Sequence, residues 1–169
     1  YCAAHTVGLP ANEIASAISS YQGLPHRQEV AAIIDGVRYI NDSKATNPDA
    51  TARALACYDT IYWIAGGLGK EGSMESITPY LGQIQRAFLI GDAAERMAAE
   101  FGRKLDAVVS SDLVSAVRAA HAQASEDQFT GAVVLLSPAC ASFDQFADFE
   151  ERGSEFCRLV ATLPGAKRH

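Results

Sequence analysis

The feature that most constrains this chain is a repeated alternation that begins at residue 61. Short, continuously apolar runs stand at 61–65 (IYWIA), 87–90 (AFLI), 107–109 (AVV) and 132–136 (AVVLL). None alternates with polar residues, so each reads as a strand buried on both faces. Amphipathic stretches at about 48–57, 74–83, 93–101, 112–124 and 150–162 have the spacing of helices. Strands and helices taken in turn build a parallel sheet covered on both sides. Upstream, the β-prone runs 30–34 and 37–40 flank Asp35-Gly36, the strongest short hairpin signal. The expected fold class is α/β: a mostly parallel, Rossmann-like sheet with helices on both faces and an N-terminal antiparallel hairpin.

Residues 9–21 read as one more helix, with Ile14, Ile18 and Tyr21 on one face and Asn12 as cap. Gly23-Leu24-Pro25 then breaks the pattern. A lone helix cannot bury its own apolar face, and the chain begins at Tyr1. Residues 1–22 are therefore expected to be the terminal helix of a preceding domain, and 23–169 a domain of their own. Fourteen Lys and Arg against twenty Asp and Glu leave a net charge of −6. That balance argues against nucleic acid and anionic membrane as main partners, which demand a basic face. No apolar run approaches the roughly 18 residues that span a bilayer, and a cytoplasmic protein is expected. Cys2, Cys57, Cys140 and Cys157 form no CxxC pair, and His5, His26, His121 and His169 do not join them at metal-ligand spacing. Free thiols and no metal site are expected.

Ligands of such sheets bind beyond the carboxyl ends of the strands; the ends at 41–47, 66–70, 91–92, 110–112 and 137–142 are all small or polar, and two carry a lysine. In NDSKATNP, Asn47 and Pro48 are a helix start, with Asn as cap and Pro at the first helical position. Asp42, Ser43, Lys44 and Thr46 then lie on a strand-to-helix loop, where helix amides and the Lys44 charge attract anions. GGLGKEGS fails as a phosphate loop, because Lys70 is followed by Glu71 and the first glycine is misplaced. It can still bring backbone close to a ligand and supply the Lys70 charge, although a plain surface turn reads as well. In SPACASFDQF, Ser142-x-x-Gln145 matches a capping box, so a helix turn is expected at Ser142, with amides and a hydroxyl for a carboxylate or phosphate. Cys140 reads as a packing residue rather than a nucleophile, and Phe143, Phe146, Phe149 and Phe156 as mostly core.

GLPHR, NDSKATN, GGLGK and LSPACASFDQF followed by FEERGSEF together resemble the Mur ligase family. The resemblance covers residues 23–169 and implies the C-terminal domain of a three-domain, ATP-dependent amide-bond ligase. It implies an enzyme of peptidoglycan synthesis that adds D-glutamate to UDP-N-acetylmuramoyl-L-alanine, with D-glutamate, ATP and that nucleotide-linked acid as partners. ATP and Mg2+ would serve the whole enzyme, with the magnesium ligands and the ATPase loop outside this chain. The resemblance places Lys44 and Thr46 beside the amino acid, Lys44 with a catalytic role. It places Lys70 on one glutamate carboxylate, and Ser142, Phe143 and Phe149 around the other. Arg27 and Asp42 would reach the ATP ribose and phosphates. Leu68 stands where some members carry Asp. Two charged lysines, a threonine and a serine are a suitable receiver for a dicarboxylate. The competing readings are the matching domain of another Mur or folylpolyglutamate-type ligase, and a stand-alone amino-acid or nucleotide-binding module.

Overall fold

The computed structural model describes residues 2–21, 23–69 and 73–166. The chain runs through α1 (Cys2–Thr6), α2 (Ala11–Ser20), β1 (Glu29–Ile34), β2 (Val37–Asn41), α3 (Pro48–Leu55) and β3 (Ile61–Gly66). A 3-10 helix over Glu75–Gln83 leads into β4 (Ile84–Ile90), α4 (Ala94–Phe101), β5 (Ala107–Val109), α5 (Leu113–Asp127), β6 (Val133–Leu136) and α6 (Phe149–Val160). Six strands form one sheet in the order β1-β2-β6-β3-β4-β5. Only β1 and β2 pair antiparallel; the other four pairings are parallel. The mixed α/β sheet expected from the sequence is the one observed.

Asp35 and Gly36 close the hairpin with φ of 49° and 85°. Both central residues at positive φ give the turn whose twist matches that of the strands, and Asp-Gly tolerates it. In β3, Trp63 and Ala65 point to one side of the sheet, and Tyr62 and Ile64 to the other. The run lacks a polar face because helices cover both sides. Trp63, Leu89, Val133 and Leu135 pack with Leu55 of α3, Ile77, and Met97 and Phe101 of α4. Tyr39, Ile64, Phe88 and Val134 pack with Leu113 and Val117 of α5 and Phe156 and Val160 of α6.

Three local expectations differ from the structure. The segment expected as a helix over 74–83 is a 3-10 helix over Glu75–Gln83, not an α-helix: it contains Pro79, which has no N–H to return to the Glu75 carbonyl. The N-terminal segment is two short helices rather than one terminal helix, broken at Gly8 (φ 88°) and Pro10, and Pro10 rather than Asn12 holds the cap position of α2. Ile14 is buried, while Ile18 and Tyr21 are exposed. At Ser142 a single turn forms, closed by its carbonyl, which accepts from the Gln145 and Phe146 amides at 3.1 and 2.9 Å. The helix itself begins at Phe149. There Asp148 accepts from Glu151 N–H at 2.7 Å, while Glu151 accepts from Ala147 N–H at 2.6 Å. Asp148 caps the helix, and Glu150 and Glu151 bring two acids to its first turn, where the dipole favours them.

Candidate active-site loops

Insertion of β6 between β2 and β3 makes the three polar loops neighbours. The loop after β2 starts at Asp42, whose N–H donates to Leu136 O at 2.8 Å. It ends at Asn47, whose side chain caps α3 by accepting from Ala50 N–H at 2.9 Å. Ala139 N–H, in the loop after β6, donates to Ala45 O at 2.9 Å. Gly66 N–H donates to Pro138 O and Leu68 N–H to Ala141 O, both at 2.9 Å. Backbone hydrogen bonds thus stitch the glycine turn and the loop after β2 to the loop after β6. Gly66 and Gly67 have φ of 111° and 127°, and a Cβ on either would run into the carbonyl of Ile90 or Ala141. Glycine is dictated there by both conformation and space.

Lys44 is exposed, and its Nζ stands 4.3 Å from the centre of the Phe149 ring. That is cation–π distance, worth about 0.5–1 kcal/mol at an exposed site. The His26 ring meets Phe149 edge-on, with centroids 6.2 Å apart, and His26 O accepts from Lys44 N–H at 3.0 Å. His26 and Gln28 have φ of 60° and 47°. His26 Nδ1 lies 3.0 Å from Asn41 Nδ2, and Glu29 Oε2 accepts from both Asn41 Nδ2 and His26 N–H. These contacts hold the GLPHR segment against the loop after β2. Thr46 is half-buried on that loop.

Asp42 is 5% exposed and engaged through both oxygens. Oδ2 accepts from Ser137 Oγ at 2.8 Å, and Oδ1 from Gln28 N–H at 3.2 Å. Burial pushes its carboxyl up, against the pull of those two hydrogen bonds and of Arg27. Arg27 is exposed. Ser142 is buried, and Phe143 stands 68% exposed on the same turn. Lys70 lies outside the described residues. The structure therefore joins Lys44 to Phe149 directly, and brings Arg27 within electrostatic reach of Asp42. Thr46, Ser142 and Phe143 share the stitched loops without such a contact among the described residues. Cys140 is buried and its thiol is pushed up by burial, which suits packing and not nucleophilic attack.

One residue that the sequence reading passed over is Arg152 of α6, 1% exposed. Its signal was present: Phe149, Arg152, Phe156, Leu159 and Val160 recur at helical spacing, so a charge stands on the apolar stripe. Among the described residues no group of three or more His, Cys, Asp or Glu side chains could hold a metal ion. No helix among them is long and apolar enough to cross a membrane.

A mostly parallel sheet whose carboxyl edge carries stitched loops with a lysine, a threonine and a buried serine defines the class as an α/β domain. Residues 26–140 match the family described as Mur ligase, glutamate ligase domain, and the chain belongs to it. The chain is 49% identical to the UDP-N-acetylmuramoylalanine--D-glutamate ligase of Rhodospirillum rubrum, over 99% of this chain and 37% of that protein. It is 51% identical to the protein of the same name from Paramagnetospirillum magneticum, over 95% and 35%. It is 47% identical to that of Agrobacterium fabrum, over 94% and 34%. The chain thus spans little more than a third of the length of these relatives. Folylpolyglutamate synthase from Thermotoga maritima aligns over 78% of this chain and 32% of that one, with a TM-score of 0.45 and 21% identity. A likeness that loose carries no argument.

Proposed function

We propose that this chain is the amino-acid-binding domain of an ATP-dependent ligase that joins D-glutamate to UDP-N-acetylmuramoyl-L-alanine, in the cytoplasmic stage of peptidoglycan synthesis. The observation that carries the reading is the meeting of the loops after β2, β3 and β6 at one edge, with Lys44 held over Phe149. The shared family and the names of the relatives support it. A stand-alone binding module or another family specificity accounts less well for identities near half over nearly the whole chain.

In this reading D-glutamate is held by its two carboxylates. Lys44 and Thr46 face it from the loop after β2, and Lys44 also steadies the negative charge that passes through the acyl phosphate. Lys70 receives one carboxylate, and Ser142, Phe143 and Phe149 surround the other. Charged hydrogen bonds of this kind contribute roughly 1.5–3 kcal/mol each. Arg27, exposed at the end of the GLPHR segment, reaches the nucleotide. Asp42, with both oxygens in use, serves that side through the backbone it fixes. ATP supplies the leaving phosphate. In this reading magnesium would be held by a part of the enzyme outside this chain. Residues 1–22 are the end of a preceding domain, whose surface covers the exposed Ile18 and Tyr21, and residues 23–169 are the amino-acid-binding domain.

The test is phosphate release by the intact ligase carrying this domain, with ATP, UDP-N-acetylmuramoyl-L-alanine and D-glutamate. Release that needs all three is expected. Lys70→Ala should raise the D-glutamate KM about 10- to 150-fold. The 169-residue chain alone should show no ATPase turnover, because it holds no GxxxxGK[ST] motif. Equal turnover with other amino acids in place of D-glutamate would overturn the reading.

A further inference from the structure

Arg152 is a buried charge with an unusual set of partners. Among the described residues no carboxylate comes within ion-pair distance of it. Its guanidinium instead meets main-chain carbonyls. Nη2 donates to Ser43 O at 2.9 Å and Cys140 O at 3.2 Å. Nη1 donates to Cys140 O at 3.2 Å, Ala141 O at 3.3 Å and Gly66 O at 3.5 Å. Nε donates to Ser43 Oγ at 3.0 Å, and that hydroxyl donates to Phe149 O at 2.7 Å. Ser43 follows β2, Gly66 ends β3, and Cys140 and Ala141 follow β6. One planar fork therefore spans all three loops, which only the rigid donor geometry of arginine allows.

Asp144 supplies a favourable charge nearby but no ion pair; a buried charge countered so indirectly is costly, and an apolar side chain would fill the volume with less penalty. Burial does press on the group, lowering its pKa to about 10. The peptide unit is planar and trans, so each carbonyl turned toward the guanidinium turns the next amide away. Arg152 thus orients the Ala141 and Ser142 amides as well as the carbonyls it binds.

We infer that Arg152 is a positioning residue: its guanidinium clamps the loops after β2, β3 and β6 in one register, and so sets Lys44, Thr46 and the Ser142 turn at the spacing a dicarboxylate amino acid requires. This rests on the ligase reading above for the identity of the ligand, but not for the clamp. Lysine keeps the charge and loses the fork. A misplacement of about 1 Å in such a site costs on the order of 100-fold. In the intact ligase, Arg152→Lys should raise the D-glutamate KM about 10- to 100-fold and leave the ATP KM within about threefold. Hydrogen exchange of the same protein should speed at the Leu68 and Ala139 amides, which bond across the loops, while the β3 and β6 amides keep their protection. Ser43→Ala removes one arm of the clamp and should shift both readouts the same way by less; it decides the matter if Arg152→Lys does not fold.

An unchanged D-glutamate KM would overturn the inference. So would a D-glutamate and an ATP KM that rise together while exchange quickens throughout the sheet, which is the signature of general loosening. If the wild-type enzyme does not use D-glutamate, the ligase reading falls, and the exchange pattern alone decides the clamp.

Discussion

Replacement of Asp42 separates a buried frame from a ligand contact. Asp42→Ala leaves the Gln28 N–H, bonded at 3.2 Å, without its acceptor. It also frees Ser137 Oγ, which keeps Thr51 Oγ1 at 3.2 Å as an alternative. A part-buried donor left unpaired costs about 1–3 kcal/mol, and the bond Ser137 loses to the carboxylate, offset in part by its turn to Thr51, about 1 kcal/mol net, so the change should destabilise the fold by about 2–4 kcal/mol. At about 2–4 °C per kcal/mol in a domain of this size, the Tm should fall by about 5–15 °C. Asn keeps an acceptor for Gln28, and its amide can donate to Ser137 Oγ while that hydroxyl turns to Thr51. Asp42→Asn should therefore cost under about 1 kcal/mol at neutral pH. Burial raises the Asp42 carboxyl above its ordinary 3.8. The stability linked to it is full below 3.8 and is lost as pH rises through the raised value. Asp42→Asn lacks that loss, so the variant should gain on the wild type as pH rises across this window. Thermal unfolding followed by circular dichroism from acid to neutral pH measures all of this. Equal destabilisation by Ala and Asn would refute the hydrogen-bond reasoning. A large rise in ATP KM in Asp42→Asn, with Tm unchanged, would put the carboxylate on the nucleotide itself.

Other expectations follow from single contacts. A Cβ on Gly153 would run into His26 Nδ1 and approach Asn41 Oδ1 at 3.0 Å. Gly153→Ala should thus lower stability by about 1–3 kcal/mol despite the better helix propensity of Ala, and a Tm at or above wild type would show that His26 moves freely aside. Tyr39 Oη and His121 Nδ1 share a 2.6 Å hydrogen bond, and burial holds the His121 pKa below 6.5. Its contribution is present above pH 6.5 and lost as pH falls through the depressed value, so His121→Gln should flatten the decline in Tm over that range; a parallel decline would exclude His121 as its source. Phe149→Leu removes the ring under Lys44, and the D-glutamate KM of the intact ligase should rise about two- to fivefold, as expected for about 0.5–1 kcal/mol. No change would mean that Lys44 is placed by its backbone alone.

Elements made by near neighbours in the chain were determined by the sequence itself. Asp35-Gly36 specified a turn that few other pairs tolerate, Asn47-Pro48 specified the start of α3, and the unbroken apolar run at 61–65 required helices on both sides. The lysine, threonine and serine loops were legible as polar strand ends for the same reason. Where two local signals competed, tertiary context chose between them: Ser142-x-x-Gln145 became a single turn, and Asp148-x-x-Glu151 took the helix. What the sequence could not determine was the seat of β6. A parallel pairing carries no mark in its own residues, because β3 and β6 are apolar on both faces, β2 is largely buried despite Arg38 and Asn41, and the three would satisfy one another in several orders. Only the assembled sheet puts β6 between β2 and β3, and with it the loops that begin at Asp42, Gly66 and Ser137. That neighbourhood buries Asp42 under Ser137, and it gives the Arg152 guanidinium carbonyls from three distant parts of the chain. Both side chains belong to types that usually face water, and both turned inward because tertiary structure supplied partners that local sequence does not contain.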